Sequence, residues 1–357
     1  MSVYFIAEAG VNHNGDIGQA LALIDAAKGA GADAVKFQSF NANLLVTADA
    51  PKAAYQKKTA GAEESQIDML RRLQLDEDDQ RLLYRHCQDR DIDFLSSPFD
   101  HESLRFLVEQ LGLQTIKVPS GEITNGPLLL EIAARQCTVI LSTGASTLDE
   151  VGAALSVLAF GYLALDAEPS IKAFAEAFAT DEGRKQVSEK VTLLHCTSEY
   201  PAPIEDANLR CMDTMTEAFS TPVGLSDHTQ DQIVALAAAA RGAAIIEKHF
   251  TLGRGLPGPD HQSSVEPDAL AELISAIRRV ETILGSPEKK PAPSEGANRG
   301  VIRKSLVAAR DIDRGRDISA DDLTAMRPGT GVSPMEYWQY IGRPAAADFR
   351  SGEVLKK

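Results

Sequence analysis

Disulfides have little to work with in this sequence. Its 357 residues carry four cysteines, Cys87, Cys137, Cys196 and Cys211, and no Cys-x-x-Cys pair. That excludes a disulfide-stapled scaffold and reads as reduced thiols in a cytoplasm. Cys196 directly follows His195, which makes a reactive thiol conceivable, but no third group is placed to orient the pair. Long apolar runs are also missing, so no segment should span a bilayer. The first ten residues lack a basic stretch and are interrupted by Glu8, so they are not a secretory signal. Positive charge is scarce: the net charge is -15 and the isoelectric point about 5.0. This balance argues against a nucleic-acid or anionic-membrane partner. It also means that an anionic small molecule would need a local basic pocket. Finally, there is no Gly-x-Gly-x-x-Gly after the first strand pattern, no internal repeat and no low-complexity tract.

What remains is ordinary globular composition, 44% hydrophobic and 24% charged, enough for one large domain and a small one. Short apolar runs alternate with helical patterns. Strands are expected at Val3 to Ala7, Ala34 to Gln38, Asp93 to Ser96, Thr115 to Val118, Thr138 to Leu141, Val191 to Cys196, Pro222 to Ser226 and Ala243 to Glu247. Helices are expected between them, among them Ile17 to Ala30, Leu75 to Arg90, Asp100 to Leu111, Gly126 to Arg135 and Gln230 to Arg241, with Thr147 and Glu150 forming a capping box. Ser39 to about Glu64 reads as a long polar loop. Eight strand–helix pairs in succession predict an α/β fold, a closed (β/α)8 barrel over residues 1–285. An open doubly wound sheet is the rival, and the missing glycine fingerprint counts against it. Phe160 to Glu189 exceeds what a barrel connection needs and is expected to be a surface insertion with helices at Ile171 to Phe178 and Glu182 to Glu189. Residues 286–299, rich in Pro, Gly, Ser and charge, read as a linker. Residues 300–357 are short strand-like or turn-rich pieces, a small mostly-β domain.

Barrel enzymes build their sites at the carboxyl ends of the strands. Here those ends carry Glu8 and Asn12-His13-Asn14-Gly15; Lys36 and Gln38; Ser96-Ser97-Pro98-Phe99-Asp100; Lys117 and Ser120-Gly121-Glu122; Ser142-Thr143-Gly144; His195 to Tyr200; and His228 and His249. The two histidines each lie just past one of two adjacent parallel strands, so they open onto the same face. An imidazole pair of this kind suits a divalent transition metal, and Asp227, Glu247 and Asp260 are nearby acids. The alternative is that each histidine caps its own strand. Lys36 and Lys117 lie within short apolar strands, where an unpaired ammonium is costly. They must meet an anion: the carboxylate of Glu8 or Glu122, or a ligand's phosphate or carboxylate. A Schiff-base lysine is a third option.

At this point the residues resemble a family, the bacterial sialic acid (N-acetylneuraminate) synthases. The matching stretches are Ala7 to Gly15, Val35-Lys36-Phe37-Gln38, Lys117 to Glu122, Leu141 to Gly144, His195 to Pro201, Gly224 to Thr229, Glu247 to Thr251 and Pro257 to His261. Arg303 to Leu306 and Met326 to Gly331 match in the small domain. The resemblance implies a barrel followed by an antifreeze-like (SAF) domain. It implies condensation of phosphoenolpyruvate with an open-chain N-acetylated hexosamine, usually N-acetylmannosamine, to a nonulosonic acid and phosphate. A diacetamido-trideoxyhexose, giving legionaminic or pseudaminic acid, is the alternative acceptor. Mn²⁺ or Mg²⁺ is implied, held by His228 and His249. Lys36, Lys117, Ser120, Ser142 and Ser226 would hold phosphoenolpyruvate, and Glu122 would move protons. Glu8, Tyr200, Glu247 and Asp260 would line the sugar and aldehyde side and Ser198 would bind substrate, with Glu8, Glu122, Lys117 and Glu247 the catalytic set. Arg327 would form a lid over a partner's barrel, making a domain-swapped homodimer.

Overall fold

Eight strands repeat one arrangement, each nearly wholly buried and each flanked by a helix. They are β1 (Tyr4–Gly10), β2 (Ala34–Ser39), β3 (Asp93–Pro98), β4 (Thr115–Val118), β5 (Thr138–Ser142), β6 (Val191–Cys196), β7 (Val223–Asp227) and β8 (Ile245–His249). All pairings among them are parallel, in the order β3-β2-β1-β8-β7-β6-β5-β4. The sheet curls into a nearly closed (β/α)8 barrel, and among the described residues no ladder joins β3 to β4. This computed structural model describes residues 2–52, 56, 64–164 and 166–356.

The near-continuous apolar runs follow from a sheet covered on both faces. Outward-facing Phe5, Ala7, Val35 and Ile246 pack with helix residues such as Leu23, Ile24 and Leu270 in the main core. Inward-facing Ile6, Ala34, Leu95, Ile140, Leu194 and Ile245 form a separate apolar plug. Side chains two apart on a strand share a face. The next inward layer is therefore Glu8, Lys36, Ser97, Ser142, Cys196 and Glu247. The barrel thus changes from aliphatic to polar within one step along six strands.

The helices Ile17–Ala30, Glu77–Arg90, Gly126–Ala134, Ile171–Ala179 and Asp181–Lys190 form close to where the sequence pattern puts them. Thr147 and Glu150 make the reciprocal capping box. Three expectations need correction. The segment read as one helix, Asp100 to Leu111, is an α-helical His101–Arg105 that passes into a wider π-helical turn, Phe106–Gln110. The polar loop after β2 contains a short helix, Ala42–Leu45, and is followed by a helix not foreseen, Gln66–Leu73; 53–55 and 57–63 lie outside the described residues. The insertion does not begin at Phe160, because Phe160 and Tyr162 are buried in the last turn of the helix Leu148–Leu163.

The chain divides into two compact units, Met1–Gly285 and Ser286–Lys357. In the second, 286–299 carries a 3-10 turn, Pro293–Glu295, and the start of a helix, Gly296–Ile302. Strands β9 (Ser305–Ala308) and β10 (Leu323–Met326) pair antiparallel. Leu306, Ile312, Ile318, Val332 and Leu355 form its small core. The last stretch, read as strand-like or turn-rich, contributes isolated bridges through Pro344, Phe349 and Val354.

Candidate active site

A cavity of ≈ 400 Å³ opens at the carboxyl ends of the barrel strands. Its floor is the polar layer above the aliphatic plug. Lys36 Nζ lies 2.8 Å from Glu8 Oε2 and 2.7 Å from Glu247 Oε2. Lys117 Nζ donates to Ser142 Oγ at 2.8 Å and lies 3.5 Å from Glu247 Oε1. Ser226 Oγ donates to Glu247 Oε1 at 2.8 Å. The register explains the grouping: Glu8 stands beside both Lys36 and His249, and Ser226 beside Glu247. The lysines therefore find Glu8 and Glu247; Glu122 lies instead on a 3-10 turn and accepts from Asn125 Nδ2 at 2.7 Å.

Burial alone would push the Glu247 carboxyl up, but Lys117 and Lys36 outweigh it and hold the group well below the usual carboxylate range. Burial also works against the Lys36 charge and lowers its pKa, with Glu247 opposing the fall. When all four groups are ionised, two carboxylates cancel two ammoniums. The floor is hence charge-dense yet close to neutral, and an anionic ligand there gains most from further positive charge.

His228 and His249 meet as their strand positions predict, with ring centroids 5.5 Å apart. Tyr200 lies against both, at 4.2 Å from His228 and 5.6 Å from His249. His228 Nδ1 donates to the Thr197 carbonyl at 2.7 Å, which fixes the tautomer and leaves Nε2 with a lone pair. His249 Nδ1 is buried without a hydrogen-bond partner. Burial pushes the His228 imidazole down to about 4 and His249 well below its ordinary value, so both rings are neutral. Two neutral imidazoles, one with an unpaired buried nitrogen, fit a divalent ion. Among the described residues no group of three or more histidine, cysteine or acidic side chains converges. Such an ion would therefore keep most positions for water and substrate.

Asp227 does not join the histidines. Its side chain alternates to the outer face of the barrel, where Oδ2 accepts from Lys248 Nζ at 2.6 Å and Oδ1 from the Thr229 amide at 2.9 Å and hydroxyl at 2.7 Å. Lys248 also donates to the Thr229 carbonyl at 2.8 Å. This buried pair ties β7 to β8 one residue before each histidine. Lys248→Met is expected to cost about 3–5 kcal/mol, since it strands a buried carboxylate; thermal unfolding measures it, and adding Asp227→Asn should recover part of the loss.

The remaining candidates lie around the same cavity. Ser120, Ser142, Ser198, Ser226, Glu122 and Asp260 all line it. Ser120 Oγ accepts from the Gly144 amide at 2.9 Å and lies 3.1 Å from Cys196 Sγ. A Cβ at Gly144 would sit 2.2 Å from Ser198 Oγ, so only glycine lets these turns close on one another. His195 turns away and donates to the Ala207 carbonyl at 2.8 Å, so no thiol–imidazole pair forms. His13 accepts from the Gly15 amide and shapes its own turn. Arg327 is exposed on the second unit, its Nε donating to the Ile302 carbonyl at 3.1 Å. All four cysteines are free, and among the described residues no helix is long and apolar enough to cross a membrane.

Burial raises the Asp260 carboxyl from 3.8 to about 6. The folded state then holds a proton that the unfolded chain has already released. Ionising Asp260 in the fold costs stability, a cost absent below about pH 4 and complete above about pH 6, reaching up to about 3 kcal/mol. Asp260→Asn should accordingly raise the melting temperature at pH 7 in buffer free of divalent ions, with the difference closing at pH 4.

Sequence reasoning missed one wall of the cavity. Leu45, Val46, Met69, Leu70 and Leu73 line it, the first two from the stretch read as polar loop and the others from the helix that follows it. The signal was the spacing of Met69, Leu70 and Leu73 within Gln66–Leu73, an amphipathic turn behind a Ser65 cap.

Comparison with known proteins finds relatives along nearly the whole chain. Residues 23–289 match the NeuB family and residues 303–357 the SAF domain. An N,N'-diacetyllegionaminic acid synthase of Campylobacter jejuni is 43% identical over 352 residues, covering 99% of this chain and 98% of its own. Another protein of that name, from Legionella pneumophila, is 42% identical over 355 residues, covering 99% of this chain and 94% of its own. Among solved structures, an N-acetylneuraminic acid (sialic acid) synthetase from Leptospira borgpetersenii superposes with a TM-score of 0.67 at 32% identity, over 84% of this chain and 90% of that one.

Proposed function

The chain belongs to the NeuB family and carries a SAF domain, and on that premise we propose that it condenses phosphoenolpyruvate with an open-chain N-acetylated hexosamine to a nonulosonic acid and phosphate. The observation that carries this reading is the pairing of Lys117 and Ser142 beside Glu247 at the floor of the cavity, with His228 and His249 at the same mouth. The acceptor we favour is a 2,4-diacetamido-2,4,6-trideoxyhexose rather than N-acetylmannosamine. The relatives at 42% and 43% identity are N,N'-diacetyllegionaminic acid synthases, which turns the sugar preference away from the sialic acid reading.

In this proposal Lys36, Lys117, Ser120, Ser142 and Ser226 hold the phosphate and carboxylate of phosphoenolpyruvate, and Glu8, Ser198, Tyr200, Glu247 and Asp260 face the acceptor. A divalent ion, Mn²⁺ or Mg²⁺, held by His228 and His249 would supply Lewis acidity toward the aldehyde oxygen. The methylene carbon of phosphoenolpyruvate forms its bond to the aldehyde carbon as the enol C=C and the aldehyde C=O π bonds open. Water adds to the central carbon, and Glu122 at the rim takes one of its protons and returns it to the former aldehyde oxygen. The bond from the central carbon to the phosphate oxygen then breaks as the added hydroxyl becomes the ketone, its proton leaving with the phosphate. Lys117 and Lys36 offset the charge that gathers on the departing phosphate. Phosphoenolpyruvate is already an activated enol, so no lysine imine is needed. Phosphate release from phosphoenolpyruvate, assayed with a panel of N-acylated hexosamines, tests the reading; no release with any of them overturns it.

A cytoplasmic homodimer with exchanged SAF domains belongs to the same proposal. Arg327 would reach a partner's barrel, where its guanidinium can bond an N-acetyl carbonyl. Mixed dimers of Arg327→Ala and His249→Ala chains should regain part of the activity that each variant loses alone. Mixed dimers without recovery would remove Arg327 from the site.

A further inference from the structure

A second apolar cluster, separate from both barrel cores, lies at the mouth of the cavity. Val11, Phe40, Met69 and Leu73 are buried together, and Leu45, Leu70 and Phe99 pack against them. Met69, Leu70 and Leu73 also line the cavity, as do Leu45 and Val46. The cavity is therefore chemically two-ended. Ammonium, carboxylate and hydroxyl groups line the barrel floor with the two imidazoles at the strand ends beside them, and aliphatic side chains from the segment between β2 and β3 form the wall.

This asymmetry orients an acceptor, given the reaction proposed above, on which the inference rests. Phosphoenolpyruvate is anionic and belongs with the lysines. Its methylene carbon must reach the aldehyde carbon, so the aldehyde end of the sugar also lies at the floor. The open chain then runs outward, and its far carbons meet the aliphatic wall. A hydroxyl pressed there loses its water without a matching partner, whereas a methyl group is favoured. Gln56 and Gln66 line the same cavity, and their carboxamides complement acetamido groups. We infer that Leu45, Val46 and Leu70 form a subsite for the methyl-bearing end of the acceptor, selecting a 6-deoxy N-acylated hexosamine over its 6-hydroxy counterpart.

The test uses the full-length enzyme and two sugars that differ by one oxygen, N-acetylmannosamine and its 6-deoxy analogue. The wild type should favour the 6-deoxy sugar in kcat/KM by about 10- to 100-fold, the range in which an apolar pocket rejects an added hydroxyl. Leu70 is half-buried and faces the cavity, so Leu70→Gln should cut that ratio at least about fivefold with little change in the KM for phosphoenolpyruvate. Leu44→Gln, on the same segment but 53% exposed and not part of the lining, should leave it unchanged. If Leu70→Gln does not fold, Val46→Thr supplies the polar atom with little change of shape and should move the ratio the same way. Equal use of the two sugars by the wild type, or a ratio unmoved in a folded Leu70 or Val46 variant, overturns the subsite and leaves the proposed reaction standing. No phosphate release with either sugar or with the diacetamido-trideoxyhexose overturns the reaction and the subsite together.

Discussion

Lys117→Met should lower kcat/KM for phosphoenolpyruvate by about 10²- to 10³-fold, a loss of roughly 3–4 kcal/mol of the kind seen when one partner of a buried charged contact is removed. The two lysines at the floor are not equivalent. Lys36 already has two carboxylate partners, lying 2.8 Å from Glu8 and 2.7 Å from Glu247. Lys117 bonds a neutral hydroxyl at 2.8 Å and stands 3.5 Å from its nearest carboxylate. It therefore has the greater capacity to turn to a ligand anion. Its removal also leaves Glu247 with Lys36 and Ser226, so the barrel should still fold. In a protein of net charge -15, nothing outside the pocket compensates for that loss of positive charge. Steady-state kinetics with each substrate varied in turn measures the effect. The KM for phosphoenolpyruvate should rise by more than tenfold while that for the sugar moves within about threefold. Equal changes in both would remove Lys117 from the anion site. Lys36→Met should behave differently, because it leaves Glu8 and Glu247 buried with their shared counter-charge gone, and the damage there falls on folding.

The contrast between the lysines marks what could be read from the chain and what could not. The eight-fold repeat was enough to put Glu8, Lys36, Lys117, Ser142 and Glu247 at the carboxyl ends of barrel strands, and the strict period of two in a strand turns Glu8, Lys36, Ser142 and Glu247 inward in one layer, with Lys117 beside Ile140 one step below. The same rule places His228 and His249 at neighbouring strand ends. It also carried the information that Asp227 points outward, yet proximity in sequence made it look like a companion of the histidines. Its actual partner, Lys248, follows the β7–β8 register, which sets Asp227 opposite Lys248. Which carboxylate each lysine would take was not readable either, since Glu8 and Glu122 both follow apolar strands. The side-by-side placement of Glu8 and Lys36 decides it. The aliphatic wall was hidden for a different reason. Ala42–Leu45 and Gln66–Leu73 are short helices embedded in polar sequence, where composition outweighs periodicity. What they bury is visible only once the barrel mouth brings Val11, Phe40 and Phe99 to meet them.

His249→Ala should reduce turnover to below about one part in a hundred and weaken Mn²⁺ binding by at least about tenfold, because it removes one of the two imidazoles that line the cavity among the described residues. The argument begins with a cost. His249 Nδ1 is buried with no hydrogen-bond partner, and an unsatisfied buried nitrogen is worth about 1–3 kcal/mol against the fold. His228, by contrast, has its Nδ1 engaged with the Thr197 carbonyl and its ring held against Tyr200. One ring is thus held by its neighbours while the other keeps an unpaired nitrogen, which fits the divalent ion proposed for the pair. Burial keeps both rings neutral, so their lone pairs are not lost to protons at neutral pH. The variant separates this role from a structural one. A packing role predicts a lower melting temperature with metal affinity in the remaining folded protein unchanged. A ligand role predicts a melting temperature in metal-free buffer that is held or raised, with the rise on adding Mn²⁺ lost. Calorimetric titration of Mn²⁺ into the free enzyme, alongside thermal unfolding with and without the ion, reads both. Wild-type Mn²⁺ affinity and full turnover in His249→Ala would remove the metal from this pair of histidines.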